Sequence, residues 1–314
     1  MYYFIVNPSA NGGHGEKVWR KLERRLLYLG IEYKALVTRA PGDAAMYAAC
    51  LNEQEQKPLV IVAVGGDGTV NEVLNGLSFE GQVTIGYIPV GGGNDFARSL
   101  KLPRNPGKCL RRILDSRCHV WLDYGVLSYE NTSPVHRRFA VSSGMGLDAA
   151  MCVDRLEFQK RTKKDQKGRR RFGIPGRLIC AVLGIRQFFR TRPVKGYLIL
   201  DGIRKVEFNH IYFISAHIHP YESGGFRFAP KADGSDGLLE VCVVHNSSRM
   251  GLIPVLVDAF LGKTASHRGV RFYCCREAQI HVEKPVPVHA DGENCYVQTD
   301  IHVRCIEKNI RMLV

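Results

Sequence analysis

The sequence predicts an α/β protein of two domains, an N-terminal doubly wound α/β domain and a C-terminal β-rich, sandwich-like domain. Strand-like and helix-like runs alternate over the first hundred residues, which is typical of a parallel sheet covered by helices. After about residue 123, strand-like runs dominate, which favours a sandwich or barrel. The length of 314 residues also suits two domains.

The first half of the chain supplies the alternating pattern. Residues 58–64 are apolar at every position, as expected of a parallel strand that is buried on both faces. Residues 16–29 carry apolar side chains at helical spacing, and Gly30 suits the C-cap. The predicted strands are 2–7, 33–38, 58–64 and 83–89, and the predicted helices are 16–29, 41–51, 69–77 and 95–100.

The second half carries shorter β-branched and aromatic runs with fewer helical patterns between them. The predicted strands are 138–142, 196–200, 206–214, 238–245, 278–282 and 294–305, and the predicted helices are 147–158, 177–189 and 250–261.

The chain is strongly basic, with a net charge of +14, which favours an anionic partner. Residues 160–171 concentrate this charge, with eight basic residues and one acidic residue, and Phe172, Ile174 and Pro175 follow. This segment suits docking on an anionic membrane surface, and a solvated loop is the plain alternative. Because no aromatic-interleaved or helix-turn-helix pattern accompanies it, we expect no nucleic-acid partner.

The sequence also indicates a cytosolic protein. Ten cysteines occur without any CxxC pair, which is typical of reduced, buried thiols. The N-terminus lacks the basic region of a secretory signal, and no apolar run approaches the roughly 18–20 residues of a membrane span.

The most specific motif directly follows the apolar segment 58–64. It reads Gly65-Gly66-Asp67-Gly68-Thr69, with Asn71 and Glu72 in the next helical turn. Glycines at the carboxyl end of a strand let the backbone approach phosphate oxygens, and a helix N-terminus favours an anion. A tight turn capped by Thr69 is the plain alternative. Such a turn does not need the carboxylate of Asp67, which suits a hydroxyl or a phosphate-bound Mg²⁺.

Two further polar turns follow other strands of the predicted sheet. Residues 89–98 read Pro-Val-Gly-Gly-Gly-Asn-Asp-Phe-Ala-Arg, in which Asn94 or Asp95 suits a helix cap. Residues 7–13 read Asn-Pro-Ser-Ala-Asn-Gly-Gly and follow the first strand. One glycine-rich turn is a weak signal, but three such turns at the ends of strands in one parallel sheet predict a phosphate-binding rim.

These motifs resemble, in kind and in order, those of the bacterial diacylglycerol kinase family, whose catalytic domain is shared with sphingosine and ceramide kinases. The family pattern combines an Asn-Pro turn, Gly-Gly-Asp-Gly-Thr followed by Asn and Glu, and Pro-x-Gly-Thr-x-Asn-Asp-Phe-Ala-Arg. A later Asp-Gly precedes apolar residues, and Asp-Gly-Glu stands near the end. The chain carries these motifs at residues 7–8, 65–72, 89–98, 236–239 and 291–293, so the resemblance spans nearly the whole chain.

The resemblance implies a kinase that uses ATP and Mg²⁺, with the nucleotide between two domains. It assigns residues 1–122 to the ATP-binding domain, to which residues 306–314 return, and residues 123–305 to the lipid-substrate domain. Asp67, assisted by Asn71 and Glu72, would organise phosphates and Mg²⁺. The residues implied in nucleotide binding are Asn7, Pro8, Ser9, Ala10, Asn11, Thr38, Gly65, Gly66, Asp67, Gly68, Thr69, Asn71, Glu72, Gly91, Gly92, Asn94 and Asp95.

One position departs from the family pattern. Gly92 stands where the family has Thr, whose hydroxyl is expected to help hold the nucleotide. Glycine keeps the backbone donors but removes that hydroxyl, which puts nucleotide affinity or nucleotide choice in question rather than the fold.

A carboxylate-bearing turn lies near the end of the chain. From spacing alone, Asp291-Gly292-Glu293 predicts a hairpin turn, because Asp-Gly is a strong turn dipeptide. The resemblance implies that it supplies the general base that takes the proton of a lipid hydroxyl. Either Asp291 or Glu293 can be that base, and the other can orient it or hold Mg²⁺.

A second acidic turn carries Asp233 and Asp236, three residues apart, and by default it is an ordinary loop. Two carboxylates with nearby backbone carbonyls suit a hard cation. The resemblance implies a structural Mg²⁺ held by Asp233, Asp236 and the carbonyl of Leu238.

We therefore expect transfer of the γ-phosphoryl group of ATP to a lipid hydroxyl, with diacylglycerol as the first candidate acceptor. Sphingoid bases, ceramide and polyprenols are alternatives. NAD kinase and phosphofructokinase share Gly-Gly-Asp-Gly, so a soluble acceptor is a further alternative, as is a membrane-associated regulator that binds nucleotide without turnover. The resemblance leads us to expect a cytoplasmic homodimer bound peripherally at the inner face of the membrane.

Overall fold

The computed structural model describes residues 1–54, 58–79, 83–115, 118–164, 186–245, 248–263 and 267–314. The chain forms two compact units. Unit 1 consists of Met1–Tyr124, Gly234–Gly237 and Ile306–Val314, and unit 2 of Gly125–Asp233 and Leu238–Cys305. Most of the basic segment 160–171 and all of residues 172–175 lie outside the described residues, so their predicted membrane contact stays a prediction.

Unit 1 is built on a parallel sheet with the strand order β2-β1-β3-β4. Its strands are β1 (Tyr2–Val6), β2 (Tyr33–Val37), β3 (Leu59–Gly65) and β4 (Val83–Pro89). Its helices are α1 (Ala10–Tyr28), α2 (Asp43–Gln54), α3 (Asp67–Gly76), α4 (Asp95–Ser99) and α5 (Pro106–Asp115). The predicted doubly wound α/β class is confirmed, and the strand order reverses between β1 and β3.

The core of unit 1 explains why these segments form the sheet. Phe4, Val62 and Val64 on β1 and β3 are fully buried against Trp19 and Leu26 of α1. The helical spacing of the apolar residues in α1 therefore places one face of that helix on the sheet. The last residues of the chain complete the sheet, since residues 311–313 pair in parallel with β4.

Unit 2 is β-rich, as predicted, and its sheet follows the order β11-β10-β9-β7-β12-β13. β8 pairs with both β9 and β12, and β5 pairs with β6. The strands are β5 (His119–Glu130, which begins in unit 1), β6 (Pro134–Phe139), β7 (Ser142–Gly146), β8 (Val194–Leu200), β9 (Arg204–His217), β10 (Leu239–His245), β11 (Val270–Cys275), β12 (Glu277–Ala290) and β13 (Glu293–Leu313, which ends in unit 1). The helices are α6 (Leu147–Lys164) and α7 (Arg249–Leu261), and residues 186–190 are also helical.

One predicted strand of unit 2 is wrong, and the reason is a hydrogen-bonding one. Residues 138–142 were expected to run as a single strand, but the chain leaves the ladder at Ala140 and Val141 between β6 and β7. The backbone N–H groups of these two residues donate to the carboxylate of Asp291 instead of a neighbouring strand. Strands β5 and β11 were not predicted, whereas the predicted helices 147–158 and 250–261 fall within α6 and α7.

The helices of the chain also bear on how it could meet a membrane. Across the described parts of the chain, none of them combines the length and the apolar character that crossing a membrane requires.

Candidate active site

In unit 1 the three predicted turns lie at one edge of the sheet. β1, β3 and β4 are parallel, so the turns that begin at Asn7, Gly66 and Val90 all follow carboxyl ends of strands. The first two turns flank the reversal of strand order between β1 and β3. In open α/β sheets this crevice is where ligands bind, so the position of the turns suits a nucleotide.

A side-chain hydrogen bond joins the first turn to the second. The side-chain amide of Asn7 donates to the hydroxyl of Thr69 at 3.1 Å, and its side-chain carbonyl accepts the backbone N–H of Ser9 at 3.1 Å. Asn11 (φ 50°), Gly12 (φ 67°) and Gly13 (φ 90°) then follow in left-handed conformation. Glycine at two of these positions removes the steric cost of that conformation, so the chain can make a wide turn before α1 becomes regular.

The second and third turns touch through their backbones. The carbonyl of Gly65 accepts the N–H of Val90 at 2.7 Å and that of Gly91 at 3.2 Å. A Cβ atom on Gly91 would lie 2.6 Å from the Cα of Gly66, closer than real Cβ contacts allow. Residue 91 therefore needs glycine because two backbones cross there, whereas a Cβ atom on Gly66 would make a tight contact of 3.3 Å with the Cα of Gly91.

Asp67 holds the second and third turns together. Its carboxylate accepts the backbone N–H of Asp95 at 3.1 Å and that of Phe96 at 3.2 Å, at the start of α4. A carboxylate that accepts these amides fixes the shape of the glycine-rich turns around it. Its predicted contact with phosphate or Mg²⁺ stays a prediction, and the contacts seen here give it a positioning role.

Other predicted nucleotide residues also have structural contacts. Asn71 is only 2% exposed, and its carbonyl groups accept from the side chain of Asn75 at 2.9 and 3.2 Å. Glu72 accepts the backbone N–H of Ala44 in the first turn of α2 at 3.1 Å. Thr38 is buried and donates its N–H to Val6 at 2.9 Å. These contacts shape the edge of the sheet, and direct contact of these residues with ATP stays a prediction.

The third turn keeps an open position at Gly92. A Cβ atom there would meet no heavy atom within 4 Å, and the backbone is outside the left-handed region. Its neighbour Asn94 is left-handed (φ 53°), donates to the carbonyl of Gly91 at 2.8 Å and accepts from the hydroxyl of Tyr87 at 3.3 Å. The turn is thus shaped by Asn94, while Gly92 leaves room for a larger side chain.

The carboxyl groups of Asp67 and Asp95 act on the buried hydroxyl of Tyr87 beneath these turns. Burial raises the pKa of Tyr87 well above its usual value, and the carboxylates of Asp67 and Asp95 raise it further. Tyr87 is therefore a neutral hydroxyl that serves as a hydrogen-bond donor to Asn94.

In unit 2 the predicted Asp291-Gly292-Glu293 motif is the tight hairpin between β12 and β13. Asp291 (φ 48°) and Gly292 (φ 81°) are both left-handed, as a two-residue hairpin turn of this type requires, and Ala290 pairs with Glu293. The carboxylate of Asp291 accepts three backbone N–H groups, from residues 140, 141 and 142, at 2.6, 2.8 and 3.0 Å. Glu293 is half-buried at the first position of β13. The turn is therefore fixed through Asp291, which gives Glu293 a defined position.

A buried histidine also holds this hairpin. The N–H of Gly292 donates to Nδ1 of His289 at 3.2 Å, and Nε2 of His289 lies 3.3 Å from the carboxylate of Asp148. Because Nδ1 accepts a hydrogen bond, Nε2 of the neutral ring carries the proton and donates to Asp148. His289 and Asp148 are 1% and 3% exposed, so they brace the turn from the interior of unit 2.

Glu222 joins this buried group. Ligand atoms of Asp148, Glu222 and His289 lie within 4.8 Å of one another, which would allow a metal ion. A hydrogen bond already explains the closeness of two of these residues without a cation, since Nε2 of His289 donates its proton to Asp148. Nε2 of His217 lies 3.6 Å from Glu222, and burial lowers the pKa of His217 to about 3, so this histidine is neutral. The sequence did not reveal the group because its members are far apart in the chain.

The predicted Mg²⁺ ligands fall in different units. Asp236 belongs to unit 1, whereas Asp233 and Leu238 belong to unit 2, so this ligand set stays a prediction. Within unit 1, the fully buried Asp123 accepts the N–H of Gly237 at 2.8 Å and that of Lys308 at 2.7 Å. Asp123 was missed by sequence reasoning, although a carboxylate inside an apolar strand is a recognisable signal of such bracing.

Comparison with protein families identifies both parts of the chain. Residues 1–121 match the family model described as "Diacylglycerol kinase catalytic domain". Residues 142–314 match the model described as "YegS C-terminal NAD kinase beta sandwich-like domain". The two matches together account for most of the sequence, including all three glycine-rich turns of unit 1 and the hairpin at Asp291.

Individual relatives cover most of the chain. A diacylglycerol kinase of Staphylococcus saprophyticus is 38% identical over 300 residues, which span 92% of this chain and 87% of that protein. A diacylglycerol kinase of Mycobacterium tuberculosis is 26% identical over 292 residues, with the same coverage of both chains.

Solved structures share the fold at lower sequence identity. A diacylglycerol kinase from Bacillus anthracis superposes with a TM-score of 0.71 at 19% identity and covers 99% of this chain and 96% of its own. Yeast NADH kinase superposes with a TM-score of 0.53 at 10% identity, covering 99% of this chain and 82% of that enzyme. By the family and sequence matches, the chain belongs to the diacylglycerol kinase family and is a lipid kinase.

Proposed function

We propose that the chain transfers the γ-phosphoryl group of ATP to the free hydroxyl of diacylglycerol and so produces phosphatidic acid. The observation that carries the proposal is that relatives named diacylglycerol kinase align with about nine tenths of the chain, one of them at 38% identity over 92% of it. The contacts among the three turns of unit 1 support the nucleotide part of the proposal.

The triphosphate of ATP would lie along the turns at Asn7, Gly65–Thr69 and Gly91–Asp95. Glycine there lets backbone N–H groups approach phosphate oxygens, and the N-terminus of α3 adds a favourable potential. Asn7 and Asp67 would act by holding the turns in register, through the hydrogen bonds to Thr69 and to the start of α4. Phosphoryl transfer depends mainly on such positioning and on neutralising charge.

Glu293 is our assignment for the general base. Asp291 already accepts three backbone N–H groups, and protonating its carboxylate would weaken them. Glu293 adjoins the same fixed turn and would take the proton of the lipid hydroxyl as that oxygen attacks the γ-phosphorus. The leaving oxygen stays with ADP, so one O–P bond forms while one breaks.

Mg²⁺ fits the donor chemistry of Asp233, Asp236 and the carbonyl of Leu238, which offer only oxygen ligands. When bound, the ion would act as a structural cation that neutralises the two carboxylates of this turn. We also propose a cytoplasmic location at the inner face of the membrane, with the chain acting as a homodimer, as in the resemblance.

The test is phosphate transfer from labelled ATP with Mg²⁺ to a panel of acceptors. Diacylglycerol, a sphingoid base, ceramide and a polyprenol are presented in mixed micelles, beside NAD and a sugar phosphate in solution. The proposal predicts labelled phosphatidic acid as the main product. Transfer mainly to another lipid would show that this lipid, rather than diacylglycerol, is the acceptor. Transfer only to a soluble acceptor would overturn the lipid proposal. ATP binding without transfer to any acceptor would favour a regulator without turnover.

A further inference from the structure

Helix α7 of unit 2 is apolar on both of its faces. On its inner face, Leu252, Val255 and Ala259 are 1%, 6% and 5% exposed and pack on the core that contains Phe226 and Phe228. The helix is capped at its N-terminus, since Ser248 accepts the N–H of Gly251 at 3.1 Å. This inner face fully accounts for how the helix is held on the sandwich.

The opposite face of α7 is exposed and carries no polar residue among its exposed described side chains. Met250, Ile253, Val257 and Leu261 are 72%, 42%, 49% and 57% exposed, and Pro254 is exposed beside them. We call these five residues the outer face of α7. A surface helix of a globular protein normally carries polar residues there, and a helix that is apolar all round is normally buried. The outer face therefore indicates that α7 contacts a second apolar environment besides the core of unit 2.

Positive charge lies at the C-terminal end of this face. Lys263 and Arg268 are exposed, and Arg227 reaches the carbonyl of Gly262 at 3.5 Å. The helix has one acidic residue, Asp258, whose carboxylate hydrogen bonds to His267 at 2.9 Å. Apolar side chains bordered by cations suit the boundary between acyl chains and anionic headgroups.

We propose that the outer face of α7 inserts into the surface of a bilayer that contains anionic lipid, and that this contact brings the kinase to its substrate. The proposal rests on the proposed function, because a lipid acceptor requires the enzyme to work at a membrane. A second copy of the chain is less suited to this surface. A stable dimer buries about 800 Å² per partner in a complementary surface, whereas a single stripe of side chains enters lipid without a matching shape.

The first experiment measures binding of the full chain to phosphatidylcholine vesicles with and without phosphatidylglycerol, in the absence of ATP and diacylglycerol. The test variant is Ile253→Gln/Val257→Gln. The matched control is Met46→Gln/Ile203→Gln, which changes two apolar residues that are 52% and 91% exposed on other surfaces. We expect the test variant to bind anionic vesicles roughly tenfold more weakly, while the control binds like the unchanged chain.

Two further measurements make the result decisive. Transfer to a short-chain diacylglycerol dispersed in detergent should be equal for the test variant and the unchanged chain. A Val257→Trp variant should be quenched by lipids with brominated acyl chains, above the quenching that the native tryptophans give. Equal vesicle binding by test and control variants, or no added quenching at residue 257, would overturn the proposal.

The remaining outcomes separate docking from the reaction itself. If the unchanged chain transfers phosphate to short-chain diacylglycerol but does not bind vesicles, the docking surface is wrong and the proposed function stands. If vesicle binding depends on Ile253 and Val257 but no phosphate is transferred to diacylglycerol, docking stands and the proposed function fails. If the test variant is monomeric where the unchanged chain is dimeric, and both bind vesicles equally, the outer face is a contact between copies.

Discussion

Asp291 and Glu293 are two positions apart, and the family resemblance allows either of them to be the general base. Their surroundings differ, since Asp291 is engaged by three backbone N–H groups and Glu293 begins β13. The hairpin itself was predictable, because Asp-Gly favours a two-residue turn. The amides that occupy Asp291 come from residues about 150 positions earlier, which no local pattern reveals.

Asp291→Asn should destabilise unit 2 as well as lower activity. The amide has one acceptor oxygen where the carboxylate has two, so N–H groups from residues 140–142 lose partners at a cost of about 1–3 kcal/mol. The change is measured by hydrogen exchange of peptides from β7 and β12.

Asp300→Asn is the matched control, because Asp300 is an exposed strand residue that pairs with His281 at 2.7 Å. It should change stability by less than about 0.5 kcal/mol. Equal protection from hydrogen exchange in Asp291→Asn and Asp300→Asn would show that the three hydrogen bonds of Asp291 do not stabilise unit 2.

Gly92→Thr should tighten ATP binding. The position has free space around a Cβ atom and a backbone outside the left-handed region, so a larger side chain can be introduced there. One added hydrogen bond to a charged phosphate is worth about 1.5 kcal/mol, which is close to tenfold in Kd. Titration calorimetry with ATP gives the value, and Gly92→Ala, which adds a methyl group without the hydroxyl, should leave it unchanged. Equal affinity for the threonine and alanine variants would contradict a role for the hydroxyl.

At the scale of elements, much of unit 1 was predictable and part of unit 2 was not. The apolar strand 58–64 and the glycine-rich turn after it have a local signature, and they form β3 and the start of α3. The strand predicted at 138–142 fails because the distant carboxylate of Asp291 accepts three of its backbone N–H groups. The outer face of α7 was also missed, since an apolar helix pattern does not show which side meets solvent.

The contact between the second and third turns makes a prediction for Gly91. In Gly91→Ala the new methyl group meets the Cα of Gly66 at 2.6 Å and Oδ1 of Asn94 at 2.7 Å, so the two turns must separate. We expect a loss of stability of about 1–3 kcal/mol together with weaker ATP binding. Urea unfolding followed by tryptophan fluorescence reports on this unit, because Trp19 and Trp121 both lie in unit 1. Behaviour equal to that of Gly92→Ala would show that the turns do not depend on close backbone contact.

At the scale of the whole molecule, unit 2 should lose stability as the pH falls below 6.5. Burial lowers the pKa of His217 to about 3 and that of His219 to about 4, from an ordinary value of 6.5. Between about pH 4 and 6.5 the unfolded chain therefore binds more protons than the folded chain, and acid favours unfolding. Burial also lowers the pKa of His289, but the hydrogen bond to Asp148 and the charges of Asp148, Glu222 and Asp291 together outweigh this and leave the pKa raised. His289 therefore titrates above this window.

The slope of the unfolding free energy against pH tests this prediction. Each of the two histidines contributes up to about 1.4 kcal/mol per pH unit inside the window. His219→Gln should flatten the slope, whatever it does to the absolute stability. Hydrogen exchange of β9 peptides measures the free energy, since neither tryptophan lies in unit 2. If the unfolding free energy of His219→Gln depends on pH as steeply as that of the unchanged chain, His219 is not a buried neutral group.

In the proposed reaction, turns of unit 1 hold ATP while Glu293 activates a lipid hydroxyl. The most direct test is single-turnover transfer from labelled ATP to diacylglycerol by Glu293→Gln, with ATP affinity measured on the same sample. We predict unchanged ATP affinity and at least about a hundredfold slower transfer, as expected on removing a general base. Transfer at the full rate by Glu293→Gln would contradict the account.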